Sequence, residues 1–215
     1  MATLTVYRIK RFFWWLCLFF CLLSWTILLT FSASWLYRLD AHFLGIASQV
    51  SLSTQQLMRN YHQMLDYVLF PWVQNLQMTD FPSSFTGAQH FADVKQLVLL
   101  NYLVLLLTTP LSVYFLRRLR QQNLLWQLQW PAALMAGVPI IILFALLINF
   151  QDFFTVFHQL LFRNQDWLFD PALDPIINAL PATFFLHCFL LAIGWFEIGA
   201  VTGWLIGRHA LNFLA

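Results

Sequence analysis

The chain has 215 residues, of which 60% are hydrophobic and 9% charged, with a net charge of +2. This is the composition of a membrane protein rather than of a soluble domain. So small a net charge, with no extended basic patch, leaves no footprint for nucleic acid.

Four apolar stretches follow one another along the chain, at about Phe12–Tyr37, Gln96–Leu116, Ala132–Phe150 and Ala182–Ile206. Each suits a helix of ~20 residues crossing a hydrocarbon core of ~30 Å. The first has a basic start (Arg8, Lys10, Arg11), and Ser32-Ala33-Ser34 imitates a cleavage site. Its apolar core exceeds the ~7–15 residues of a signal peptide, so an uncleaved anchor is expected. Cys17, Cys21 and Cys188 all fall inside predicted spans. With no cysteine in the loops there is no disulfide framework, and the three read as small packing residues.

Basic residues without any acid occupy the N-terminal tail, the loop after the second span (Arg117, Arg118, Arg120) and the C-terminal tail (Arg208). The other two loops hold Arg38, Arg59, Lys95 and Arg163 among eight aspartates. Counting Lys and Arg alone, both termini are expected in the cytoplasm and both long loops outside. Anionic lipid accounts for the short basic clusters. The whole of 1–215 is then a single membrane domain. Its fold class is all-α: a four-helix transmembrane bundle with a small extracytoplasmic cap from the first loop, the two extracytoplasmic loops being 38–95 and 151–181.

In the first loop, Ser53 or Thr54 can cap a helix over Gln55–Leu69. Leu57, Tyr61, Met64, Leu65 and Val68 recur at helical spacing, with Gln56, Arg59, Asn60 and Gln63 opposite. Phe70-Pro71 ends this amphipathic helix. Trp72–Thr86 reads as irregular chain or short strands. His90 and Asp93 follow; on a helix that has already begun they share a face, and Asp93 is placed to orient His90. In the second loop, Phe154, Phe157, Leu161 and Phe162 surround His158 at helical spacing, as in a short helix pressed into the membrane interface. A dense polar turn follows, with Arg163, Asn164, Asp166, Trp167, Asp170 and Asp174, held by Pro171, Pro175 and Pro181.

No Gly-x-Ser-x-Gly elbow, phosphate-binding glycine loop or His-Glu-x-x-His pair is present in the sequence. The candidate chemistry rests on His90 and His158, each beside carboxylates, since imidazole is the natural acid and base at neutral pH. A lone interfacial histidine commonly only reaches for water; two in polar clusters on one side are a stronger signal. His42 and His62 read as solvated, His187 as packing or lining, and His209 as cytoplasmic. Glu197, the one acid within a span, is expected to hydrogen-bond a neighbouring helix. A non-enzymatic alternative is a histidine-containing protein that binds haem, copper or a quinone, or a small transporter subunit. Haem would want histidines deep in facing spans, whereas these lie at the edges.

The stretches HFADVKQL (His90–Leu97) and FHQLLFRNQDWLFDPALDPIINALPATFF (Phe157–Phe185) resemble the lipoprotein intramolecular transacylases of Gram-positive bacteria, four-span membrane proteins. The resemblance covers nearly the whole chain. It implies an acyltransferase that moves the sn-2 acyl chain of a diacylglyceryl lipoprotein onto the α-amine of its own N-terminal cysteine. It also implies that His90 and His158 are catalytic. Expected partners are diacylglyceryl lipoproteins and membrane lipids, with no cofactor and no metal. Asp93, Arg163, Asn164, Asp166, Trp167, Asp170 and Asp174 are the supporting or substrate-binding candidates, with Asn164, Arg163 or backbone N–H groups as oxyanion donors.

Overall fold

The computed structural model describes residues 2–212, with side chains from Ile9 onward. Arg8, one of the tail residues used for topology, lies outside the described side chains. The fold is all-α, with no strand among the described residues. Among the described residues, four helices are long and apolar enough to cross a membrane: α1 (Ala2–Phe31), α5 (Phe85–Gln121), α6 (Gln129–Ile148) and α9 (Ala182–Asn212). Between them lie α2 (Ser34–Phe43), α3 (Ile46–Gln49), α4 (Thr54–Leu69), α7 (Phe150–Leu161) and α8 (Ile176–Ala179).

Several span boundaries differ from the sequence expectation, and two of them move residues that matter below. The first span does not run to Tyr37: the helix stops at Phe31, and a second one starts at Ser34. Tyr37 therefore belongs to α2, where it is fully buried and donates a 2.8 Å hydrogen bond to the Ala179 carbonyl. The second span begins eleven residues earlier than Gln96, so α5 has 37 residues. At ~1.5 Å per residue it is far longer than a hydrocarbon core. Its first turns carry polar residues that hydropathy alone excludes from a span.

The chain divides into two compact units. The span unit holds residues up to 29, 101–144 and from 191. Trp14 stacks on Phe115 at 5.4 Å, and Trp15 meets the same ring edge-on. Polar contacts here are few and small: Trp25 Nε1 donates to Thr109 Oγ1, and Asn101 Nδ2 donates to the Ser24 carbonyl. Glu197 Oε1 is buried with no hydrogen-bond partner, so that oxygen does not make the expected bond to a neighbouring helix.

The site unit holds residues 30–100 and 145–190. Its core stacks Tyr37 on Tyr61 at 3.8 Å, with Phe184 edge-on to both rings. Ser53 caps α4 in a full capping box with Gln56, and the predicted apolar face is buried. Asn60 departs from its expected place on the wet face. It is completely buried because it exchanges two hydrogen bonds with Asp80, Nδ2 donating to the carboxylate and Oδ1 accepting from the backbone N–H. Asn60 and Arg59 together hold the Asp80 carboxyl below the usual carboxylate range. Trp72–Ser84 is loop, not strand, pinned to α4 by this pair and by Gln63 with Thr79. Lys95 closes the loop from α5 by donating to the Phe70 and Val73 carbonyls.

Candidate active site

His158 stands in the last turn of α7. Asn149 caps this helix by accepting from the Asp152 N–H, and Asp152 itself suits the positive end of the helix dipole. Phe153 and Phe157 pack against Phe189, and Phe154 packs against Phe185. His158 is thereby turned inward and is only 8% exposed. Its Nδ1 lies 2.8 Å from the Phe154 carbonyl. A carbonyl only accepts, so Nδ1 carries the proton and Nε2 keeps a lone pair. Burial pushes the His158 pKa down, and the hydrogen bond to Phe154 opposes part of that shift. The imidazole is accordingly neutral at pH 7, in the tautomer of a base.

His90 sits near the start of α5, only 9% exposed. Its ring centroid is 5.8 Å from that of His158, 4.8 Å from Phe162 and 5.5 Å from Phe169. The two imidazoles are thus neighbours in an aromatic enclosure, although 68 residues separate them in sequence. His90 Nδ1 is buried with no hydrogen-bond partner. A buried ring nitrogen without a partner is costly in a resting protein and calls for a ligand group or water.

Asp93 makes no hydrogen bond to His90. It accepts from Asn164 Nδ2 at 2.8 Å and from Gln89 Nε2 at 3.2 Å, because α5 turns its carboxylate toward the polar loop. That ties one N–H of the Asn164 amide to Asp93 and leaves its second N–H available as a donor. Trp167 lies with its ring 5.0 Å from His158, and its indole N–H donates to the Asn164 carbonyl. Arg163 is exposed and Asp166 half-exposed. Asp170 folds the loop by accepting from the Ala172 N–H. Asp174, only 2% exposed, accepts from the Ser84 N–H and hydroxyl.

Two open clefts flank Phe162 and Arg163. One of ≈ 260 Å³ is lined by Asp93, Gln96 and Leu97; the other, of ≈ 510 Å³, reaches Gln159, Asn164, Trp167 and Leu168. Among the described residues, no group of three or more His, Cys, Asp or Glu is placed to share a metal ion.

The contact between Asp40 and His187 also escaped the sequence. His187 Nδ1 lies 2.8 Å from a carboxylate oxygen of Asp40, which is buried on α2. No local pattern could link two residues 147 positions apart; an isolated acid and an isolated histidine at the ends of apolar segments were the only hint.

The fold is that of an all-α protein with four candidate membrane spans and two imidazoles enclosed side by side, and comparison supplies its family. The family model described as lipoprotein intramolecular transacylase Lit matches residues 12–185. The chain belongs to that family, and it is a multi-pass membrane transferase that acts on lipoproteins. The structure of the membrane integral lipoprotein intramolecular transacylase Lit from Bacillus cereus superposes with a TM-score of 0.90 at 26% identity, covering 95% of each chain. A variant of that protein with one histidine changed to arginine gives 0.78 at 25% identity, covering 99% of this chain and 97% of the other. Comparison with curated proteins gives no match.

Proposed function

We propose that this chain transfers the sn-2 acyl chain of a diacylglyceryl lipoprotein to the α-amine of that lipoprotein's N-terminal cysteine, with His158 as the acid–base group and no acyl-enzyme. The observation that carries the reading is the free Nε2 of His158, held in its tautomer by Phe154 and facing a second buried imidazole. An α-ammonium with a pKa of ~7.7–8 is largely protonated at neutral pH. Nε2 takes a proton from it, and the amine attacks the ester carbonyl of the same molecule. The new C–N bond forms as the C–O bond to glycerol breaks. Of the two protons that the ammonium gives up, one ends on the glycerol hydroxyl and one leaves to water. Amine and ester belong to one substrate, so holding them in register can supply ~7–11 kcal/mol of the barrier. The unpartnered Nδ1 of His90 is suited to position the amine.

The surfaces agree with a site at ester depth in a leaflet. Val156 and Leu160 are exposed on the face of α7 opposite His158. On α2, Trp35, Leu39 and Phe43 form an exposed apolar stripe. Such stripes suit helices lying in the interface. The Lys and Arg distribution supports cytoplasmic termini and a site facing outside. Membrane lipids are then the surroundings of substrate and enzyme.

Mass spectrometry of a lipoprotein N-terminus, from cells with and without this gene expressed, tests the reaction. The expected product is an N-acylated, monoacylglyceryl cysteine that appears only with the gene. An unchanged diacylglyceryl form at good expression removes the reading. Orientation is tested by single cysteines at Ser83, Asp166 and Gln122, labelled on intact cells with an impermeant reagent. Only the first two should react, and labelling at 122 inverts the topology.

A further inference from the structure

We propose that Asp174, Ser84 and Gly87 form a clamp that sets the spacing of the two imidazoles, which makes Asp174 a positioning residue for the transfer; this rests on reading His90 and His158 as the working pair. Ser84 precedes α5 and supplies both contacts to Asp174, its N–H at 2.7 Å and its hydroxyl at 2.6 Å. The same hydroxyl oxygen accepts from the Gly87 N–H at 3.0 Å. A helix N-terminal N–H therefore feeds a hydroxyl, which feeds a carboxylate, so the anion sits where the helix dipole favours it.

The carboxylate comes so close because residue 87 has no side chain. A Cβ at Gly87 would stand 2.1 Å from Asp174 Oδ1 and 2.6 Å from its Cγ. Any other residue expels the carboxylate. At 2% exposure with its hydrogen bonds satisfied by protein, Asp174 is out of reach of substrate and serves as neither acid nor base.

What the clamp fastens is specific. His90 is three residues beyond Gly87. Three residues beyond His90, Asp93 is tied to Asn164. α5 is thus held to the 162–175 segment on both sides of His90. That segment begins four residues after His158, and its turns are stiffened by Pro171 and Pro175. Opening the Asp174 end frees the first turn of α5, and with it the 5.8 Å spacing of the rings.

The test uses purified enzyme in liposomes with a synthetic diacylglyceryl lipopeptide, the lyso product being followed by mass spectrometry. Gly87→Ala is the cleanest variant, because alanine is the better helix former and the fold is not weakened intrinsically. Displacement of a catalytic group by about 1 Å can cost roughly 100-fold, so kcat is expected to fall roughly 10–100-fold while KM stays within about twofold. Asp174→Ala should do the same, and Asp174→Asn, which keeps one acceptor, should recover part of the loss. The double variant Gly87→Ala/Asp174→Ala should be no worse than Asp174→Ala alone, since the clash needs the carboxylate. Wild-type kcat in Gly87→Ala overturns the proposal. So does a double variant that shows the product of the two single losses, or losses that merely follow the unfolded fraction. His90→Ala and His158→Ala run alongside: if both stay active, the pair itself falls, and if both are dead while Gly87→Ala is normal, only the clamp falls.

Discussion

Among the described residues, the buried polar side chains of the span unit are Ser24, Thr26, Asn101 and Ser112, whereas those of the site unit are Asp40, Asn60, His90, Lys95, His158 and Asp174. The first set is small and uncharged. The second contains every ionisable Asp, Lys or His that the fold encloses. Enclosing an ionisable group costs several kcal/mol unless it is paired or neutral. The site unit meets that cost one group at a time: Lys95 with carbonyls, Asp174 with Ser84, Asp40 with His187, His158 as a neutral ring. His90 Nδ1 is left without a partner. The span unit supplies length and apolar surface, and the site unit supplies prepared polar groups.

The difference is broken most severely at His158. His158→Ala should lower N-acylation by ~10²–10⁴-fold, the usual contribution of a general acid–base group. His90→Ala should also be severe. His42→Ala and His209→Ala should stay within about twofold of wild type, an ordinary result for residues away from the site. Lyso-lipoprotein formation at matched expression measures all four. A normally active His158→Ala enzyme would remove the assignment.

A smaller but graded effect comes from pH. The reaction needs one proton on the amine–imidazole pair: ammonium with neutral His158 on entry. The kcat/KM profile should therefore be bell-shaped, with its alkaline limb at the amine value of ~7.7–8 and its acid limb below the ordinary imidazole value of ~6.5. The sign follows from burial, which lowers the His158 pKa and keeps the ring neutral further into acid. The same shift weakens the fold in acid. Below ~6.5 the unfolded chain takes up a proton that folded His158 refuses, so stability falls with pH until the folded ring titrates too. An acid limb at or above ~6.5 would mean that the titrating base is a solvated group.

Much of this was legible in the sequence, and most of the exceptions share a cause. Hydropathy gave four spans, and helical spacing gave the buried face of α4 and the aromatic surroundings of His158 on α7. Both histidines of the pair stood out by position. Most failures at single side chains were matters of partner. Asn60 looked wet because its partner Asp80 is in another segment. Asp93 looked like a prop for His90 because it is three residues away, yet its carboxylate bonds Asn164, 71 residues on. Tyr37 looked like the end of a span because apolarity continues through Ser32-Ala33-Ser34. Spacing shows which face a side chain occupies, but not which distant polar group meets it there.

Breaking the Asp40–His187 pair should touch stability before chemistry. His187→Ala leaves a buried carboxylate short of a donor, at a cost of about 1–3 kcal/mol, toward the lower end because the imidazole is half-exposed. A fall of several degrees in Tm is expected, with kcat for the folded fraction nearly unchanged. A larger loss of kcat than of stability would extend the catalytic network to α2 and α9.

The smallest expected effect is none at all. Replacing Cys17, Cys21 and Cys188 together by serine should leave the transfer rate near wild type and trap no acyl-enzyme in a single turnover. Cys17 and Cys21 belong to the span unit, where Cys17 is buried and Cys21 sits 3.7 Å from Thr109 Oγ1. Cys188 is half-buried on α9, on the turn whose neighbour His187 is taken up by Asp40 rather than by the thiol. Among the serines near the pair, Ser84 has its hydroxyl committed to Asp174 and Gly87. A nucleophile needs a base within about 2.6–3.2 Å, and none of these hydrogen-bonds either imidazole. The substrate carries donor and acceptor together, so a covalent stop adds a step without removing a barrier. An acyl chain that forms on the enzyme and passes to the amine at a competent rate would overturn the direct route while leaving the two-unit division of labour intact.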